Sequence, residues 1–63
     1  MVKVGSRWKD IDYNTYIVIN VITIEGKDWV YYRKEKASPE QENREFSCYA
    51  ESFVRRFTPY ENY

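Results

Sequence analysis

The run TYIVINVITI, residues 15–24, constrains the fold more than any other stretch. Eight of its ten residues are β-branched, a composition that suits a pleated strand and disfavours a helix. Its apolar residues do not keep one alternation. Tyr16, Val18, Ile22 and Ile24 share one parity, Ile17, Ile19 and Val21 share the other, and polar Asn20 stands between them. Side chains of a strand alternate strictly between faces. A strand that is apolar on both parities and interrupted by Asn therefore predicts a bend or bulge near Asn20. Such a strand can also serve two sheets, one half in each.

The segment EGKD, residues 25–28, is a polar, glycine-containing turn of hairpin length. It predicts an antiparallel hairpin between 15–24 and 29–34. The second arm, WVYYRK, raises the same two-sided question. One phase buries Val30 and Tyr32 against the β-branched strand and leaves Trp29, Tyr31 and Arg33 as an outer stripe. That phase is preferred because it puts Arg33 in water. The stripe is then either covered, by the segment carrying Phe53 and Phe57 or by the tail tyrosines, or free as a contact patch.

The remaining elements are shorter. VKVGSRW, residues 2–8, reads as a first strand broken by Gly5, and DIDYNT, residues 10–15, as a turn cluster. EKASPEQENRE, residues 35–45, has no large apolar residue and reads as a mobile loop, or a hairpin whose tip frays. Phe46, Cys48 and Ala50 alternate as a short strand. In AESFVRRF, Phe53 and Phe57 lie four apart, so a short helical segment puts both rings on one face. Pro59 ends that segment, leaving residues 59–63 as a loose tail to a single domain over 1–58.

A chain of 63 residues buries only about 60% of the surface its unfolded form exposes, and aromatic residues at 19% are one way to build a core from few positions. Four or five short strands of this kind predict a mainly β fold, most economically a small Src-homology-3-like antiparallel barrel with a short C-terminal helical turn. Closure would remove exposed strand edges. The alternative is an open three-stranded sheet covered by a helix.

Several functions are disfavoured by composition. There is no histidine and one cysteine, Cys48. This removes an intrachain disulfide, cysteine-based zinc sites and the histidine-dependent nucleophile pairs. An enzyme is therefore not expected, nor a cofactor. Asp10, Asp12 and Glu51 lack the spacing of a calcium loop, and turn chemistry accounts for the two aspartates. Cys48 reads as a small buried hydrophobe. The longest apolar run, Tyr16–Ile19, falls far short of the ~20 residues of a membrane span. With no signal-like segment at the N-terminus, the expectation is a cytoplasmic protein without a membrane partner.

VGSRW at 4–8, YIVINVI at 16–22, WVYYRKE at 29–35 and ESFVRRFTP at 51–59 occur in an order that resembles small bacteriophage and prophage proteins. The resemblance implies a phage origin and a small barrel. Such proteins are largely of unknown function, and no catalytic residues come with the likeness.

Two functions follow as expectations. The first is a non-enzymatic protein-interaction module that binds and modulates a host or phage protein through Trp29, Tyr31, Arg33, Arg55 and Arg56, residue types enriched at binding hot spots. The alternative is a nucleic-acid-binding accessory protein using the same face, with Arg33, Arg55, Arg56 and Lys34 or Lys36 tracking phosphates between aromatic rings. Ten positive and ten negative residues cancel, which weighs against the second, because nonspecific affinity for nucleic acid comes largely from neutralised phosphates. A homodimer through the aromatic stripe is a further outcome the pattern allows.

Overall fold

The computed structural model describes residues 2–36, 38–40 and 44–60. Its strands are β1 (Arg7–Lys9), β2 (Thr15–Ile24), β3 (Lys27–Lys34), β4 (Phe46–Tyr49) and β5 (Thr58–Pro59), with one helix, α1 (Ala50–Arg56), between β4 and β5. All pair antiparallel in one sheet of order β4-β3-β2-β1-β5. β4 and β5 are its two edges, and no ladder joins them, so the sheet is mainly β as the sequence predicts but unclosed among the described residues. β2 stays within this one sheet rather than dividing between two.

The bulge predicted near Asn20 is present. Val18 pairs with Tyr32 and Asn20 with Tyr31, so Ile19 and Asn20 together oppose one residue of β3. The Asn20 side-chain oxygen accepts the Val21 N–H at 2.9 Å. The consequence is a reset of parity. Tyr16 and Val18 before the bulge, and Val21 after it, all pack on the core side. Ile17, Ile19, Asn20, Ile22 and Ile24 are carried to the opposite side.

The β2–β3 turn is tighter than four residues. Ile24 pairs with Lys27, which leaves Glu25 and Gly26 as the turn, both left-handed at φ 51° and 79°. Two central residues with positive φ match the twist of a hairpin. Glycine adopts that region freely, whereas glutamate is strained there. Replacing Glu25 with asparagine should therefore stabilise the fold by about 0.5–1 kcal/mol, or about 4 °C in a domain this small. Thermal unfolding followed by circular dichroism checks this, and an unchanged or lowered midpoint would contradict it.

The core lies on one side of the sheet and comprises Val2, Trp8, Val18, Val30, Tyr32, Phe53 and Phe57. Val30 and Tyr32 thus occupy the buried phase of β3, as expected from the pattern. The helix supplies the cover. Phe53 meets Trp8, Tyr32 and Phe57 with ring centroids 4.9, 5.0 and 4.6 Å apart. Glu51 in its first turn and Arg55 and Arg56 in its last suit the helix dipole. The Phe57 N–H closes the helix on the Phe53 carbonyl at 2.9 Å.

β5 then returns the chain to β1, with Trp8 opposite Pro59 and Lys9 opposite Thr58, and the Tyr60 N–H donates to the Arg7 carbonyl at 2.9 Å. Proline fits there because an edge strand does not need its missing donor. Of the expected tail, residues 61–63 lie outside the described residues, as do Ala37 and residues 41–43 of the expected loop. No helix among the described residues is long and apolar enough to cross a membrane.

Candidate functional site

The parity reset gives the sheet two apolar faces, and the helix covers only one of them. On the uncovered face, β2 contributes Ile17, Ile19, Ile22 and Ile24, and β3 contributes Trp29, Tyr31 and Arg33. β4 adds Tyr49. Cross-strand register sets the rows. Trp29 stands between Ile22 and Tyr49, Tyr31 between Asn20 and Ser47, and Arg33 opposite Ile17. The Trp29 and Tyr49 rings lie 4.2 Å apart, centroid to centroid, at 36°. Lys27 places its ammonium 5.5 Å from the Tyr49 ring centre, extending the row to the hairpin end.

Ile22, Ile24 and Tyr49 remain 36%, 44% and 39% exposed, three large apolar side chains left in water toward the hairpin end of one face. Beside them Ile19, Asn20, Ile22, Tyr31 and Glu45 line a shallow depression of about 370 Å³. Trp29 and Tyr31 are half-buried and Arg33 is exposed. Of the two tryptophans, Trp8 belongs to the core and Trp29 to this face. No described strand or helix packs over it, and the Phe53/Phe57 segment covers the other side. Tyr60, the described member of the tail tyrosines, sits at the sheet's corner with Arg7 5.4 Å from its ring centre.

The structure therefore brings Trp29, Tyr31 and Arg33 together and does not bring Arg55 and Arg56 to them. Both arginines lie on α1, across the sheet. Arg56 lines a cleft with Tyr16, Tyr32, Phe46 and Phe57 on the core side, its guanidinium 5.4 Å from the Phe57 ring centre. Phosphate-tracking by Arg33 together with Arg55 and Arg56 has no common surface here. No protein family, curated protein or solved structure matches the chain. The surface is therefore read from its own chemistry.

The isoleucines of this face, and Tyr49, escaped the sequence reading. The signal that could have found them is the parity count in β2: once a bulge is placed at Ile19–Asn20, residues 17, 19, 22 and 24 fall on the Trp29 side together.

The other polar candidates are occupied structurally. The Asp10 carboxylate accepts the backbone N–H groups of Asp12 and Asn14, each at 2.9 Å, the Asn14 amide at 3.1 Å and the Tyr16 hydroxyl at 3.2 Å. Desolvation alone would raise its pKa, but these donors outweigh that effect and hold the carboxyl below its ordinary value of 3.8. Asp10 thus organises a turn. Burial pushes the Cys48 thiol up from 9.0, with Arg56 and Tyr32 opposing only in part, so the thiol is protonated at neutral pH and packs as an apolar group against the core. At the sheet corner Arg7 Nε lies 2.9 Å from Glu35 Oε2. The N–H is not aimed along that line, which makes the contact an ion pair rather than a hydrogen bond.

Proposed function

We propose that this chain is a non-enzymatic interaction module that docks a partner protein on the uncovered face of its sheet. The observation that carries this reading is the row Ile22–Trp29–Tyr49, continued by Ile19, Tyr31 and Arg33, on a face that no described element covers. A contiguous apolar patch with a polar margin marks an interaction surface more often than a solvated one. Tryptophan, tyrosine and arginine are the residues that dominate binding energy at such surfaces. A protein partner is favoured over nucleic acid on this face because its bulk is aliphatic. Isoleucine offers a base neither a stacking plane nor a charge.

The mechanism is occlusion, with Trp29 and Tyr31 as central anchors and Arg33, Lys27 and Glu45 at the margin setting specificity. The strand order, with β5 returning beside β1 after a helical segment, supports reading the fold as an opened Src-homology-3-like arrangement. The resemblance of the short motifs to those of small phage and prophage proteins favours a host or phage protein in the bacterial cytoplasm as the partner.

Affinity capture from bacterial lysate, with and without nuclease, tests the reading. Trp29→Ala/Tyr31→Ala should weaken capture of the partner by at least about 30-fold, since two hot-spot residues are truncated. Arg55→Ala/Arg56→Ala, across the sheet, should leave it intact. A Trp29/Tyr31 variant that keeps its far-ultraviolet spectrum and its partners would overturn the proposal. So would a dimer, measured by light scattering, that the same two substitutions dissociate, because the face would then be a self-interface.

A further inference from the structure

A second surface lies at the end of the sheet where β1 finishes, β2 begins and β3 finishes, away from the Ile22–Trp29–Tyr49 row. There a depression of about 370 Å³ is lined by three lysines, Lys9, Lys34 and Lys36, and by two tyrosines, Tyr13 and Tyr60. Asn14 and Thr15 add polar groups to its wall. In a chain whose charges cancel overall, three cations and no carboxylate line this one hollow. We propose that this depression binds a nucleoside phosphate, the lysines taking the phosphate groups and the Tyr13 and Tyr60 rings the base.

Three observations support it. First, the positive charge is left unspent. Among the described residues none of the three lysines has an ion-pair partner; Asp12 of the adjoining turn does not line the hollow, and two neighbouring carboxylates are engaged elsewhere. Glu35 is paired with Arg7, and Asp10 is held by the donors of its own turn. Lysine ammonium groups suit phosphate as compact, rotatable point charges.

Second, Tyr13 is placed at a cost that packing does not explain. Its φ is 66°, a region that an aromatic residue rarely adopts and that its neighbour asparagine would tolerate better. The Tyr13 N–H donates to the Asp10 carbonyl at 3.0 Å, so the Asp10 turn holds this conformation in place. Yet the residue is 75% exposed and its ring is no part of the core. Strain of this kind, retained around an outward-facing ring, points to function.

Third, the ring already has a cation over one face. The Lys9 ammonium lies over the Tyr13 ring, 5.0 Å from its centre, so a base stacked on the tyrosine's other face would bring its phosphates within reach of lysine. A cation row beside stacking planes is the arrangement by which proteins hold nucleotides of a single strand. The volume lies at the lower end of the range for small-molecule sites, about 300–1,000 Å³, enough for one nucleotide unit. A free nucleotide and one unit of a single strand share this chemistry.

Titration of the intact chain at low salt, followed by tyrosine fluorescence and by NMR, tests the proposal with four probes: ATP, AMP, inorganic triphosphate and a ten-residue oligothymidylate. ATP or the oligonucleotide should bind saturably, perturb Tyr13, and weaken as salt rises. Tyr13→Gly removes the ring while keeping the left-handed turn and should weaken binding by about 5- to 100-fold, the worth of one stacked base. Lys9→Gln/Lys34→Gln should flatten the salt dependence. Trp29→Ala/Tyr31→Ala, whose side chains do not line the hollow, should leave it unchanged. Binding of ATP without the oligonucleotide assigns a free nucleotide, and the reverse assigns a single strand. Inorganic triphosphate binding as tightly as ATP, with no effect of Tyr13→Gly, would overturn the nucleoside assignment. Absence of saturable binding by all four probes would overturn the site.

Discussion

Phe53→Ala should leave the chain largely unfolded at 25 °C. Phe53 has no exposed surface, and it joins the helix to the sheet through edge and tilted contacts with Trp8, Tyr32 and Phe57. Truncating a buried phenylalanine costs about 3–5 kcal/mol, the lost transfer energy plus the cavity left behind. The whole stability of a domain this size is only about 3–9 kcal/mol. Relaxation cannot recover much, because the cavity would be walled by rings anchored on β1, on β3 and at the residue that closes α1 rather than by one mobile segment. Phe53→Leu, which keeps most of the volume, should cost far less and retain cooperative unfolding. Urea titrations followed by circular dichroism compare the three proteins. An alanine variant with a midpoint near wild type would show that α1 is not what holds the core face closed.

The same residue shows how far the sequence was legible. Phe53 and Phe57, four apart with charged residues between, announce a helical segment with one apolar face, and the structure has it. The hairpin of β2 and β3, the phase of Val30 and Tyr32, and the irregularity at Asn20 were also readable, because each follows from local periodicity and turn chemistry. What was not readable depends on distant parts of the chain. β5 is two residues long, too short to show a period, and exists because the end of α1 delivers it beside β1. Whether the sheet closes depends on its accumulated coil and on how β4 and β5 are delivered, which no single segment encodes. The contact surface was half legible. Trp29, Tyr31 and Arg33 follow from alternation alone, whereas grouping Arg55 and Arg56 with them assumed that the helix would pack on their side. The hollow around Lys9, Tyr13 and Lys34 gathers the ends of three strands and has no signature in any one of them.

The bulge is the feature through which local pattern becomes global architecture, and deletions within β2 should separate its two roles. Removing Ile19 joins Val18 directly to Asn20. Val18 still faces inward against Tyr32, Asn20 still opposes Tyr31 on the outer side, and Val21 still reaches the core opposite Val30, now through a regular ladder. Val18 also keeps its bonds to the two residues before β1: its N–H donates to the Ser6 carbonyl at 2.9 Å and its carbonyl accepts the Gly5 N–H at 2.8 Å. Stability should therefore change by no more than about 1 kcal/mol, the half-buried isoleucine surface being lost while the alternation is completed. Removing Val21 leaves the same chain length with the opposite result. If the bulge is abandoned, Asn20 takes the inward position and turns an amide without a partner toward the core, at about 1–3 kcal/mol, on top of about 1 kcal/mol for the lost, half-buried valine. If the bulge is kept, Ile22 and Ile24 turn inward and Thr23 turns outward, so the hairpin must repack against a core built for Val21. Either way the valine deletion should sit about 1–3 kcal/mol below the isoleucine deletion, a gap that paired denaturant titrations resolve. Equal destabilisation by the two deletions would mean that β2 does not owe its two apolar faces to the bulge, and the grouping of its isoleucines with Trp29 would lose its basis.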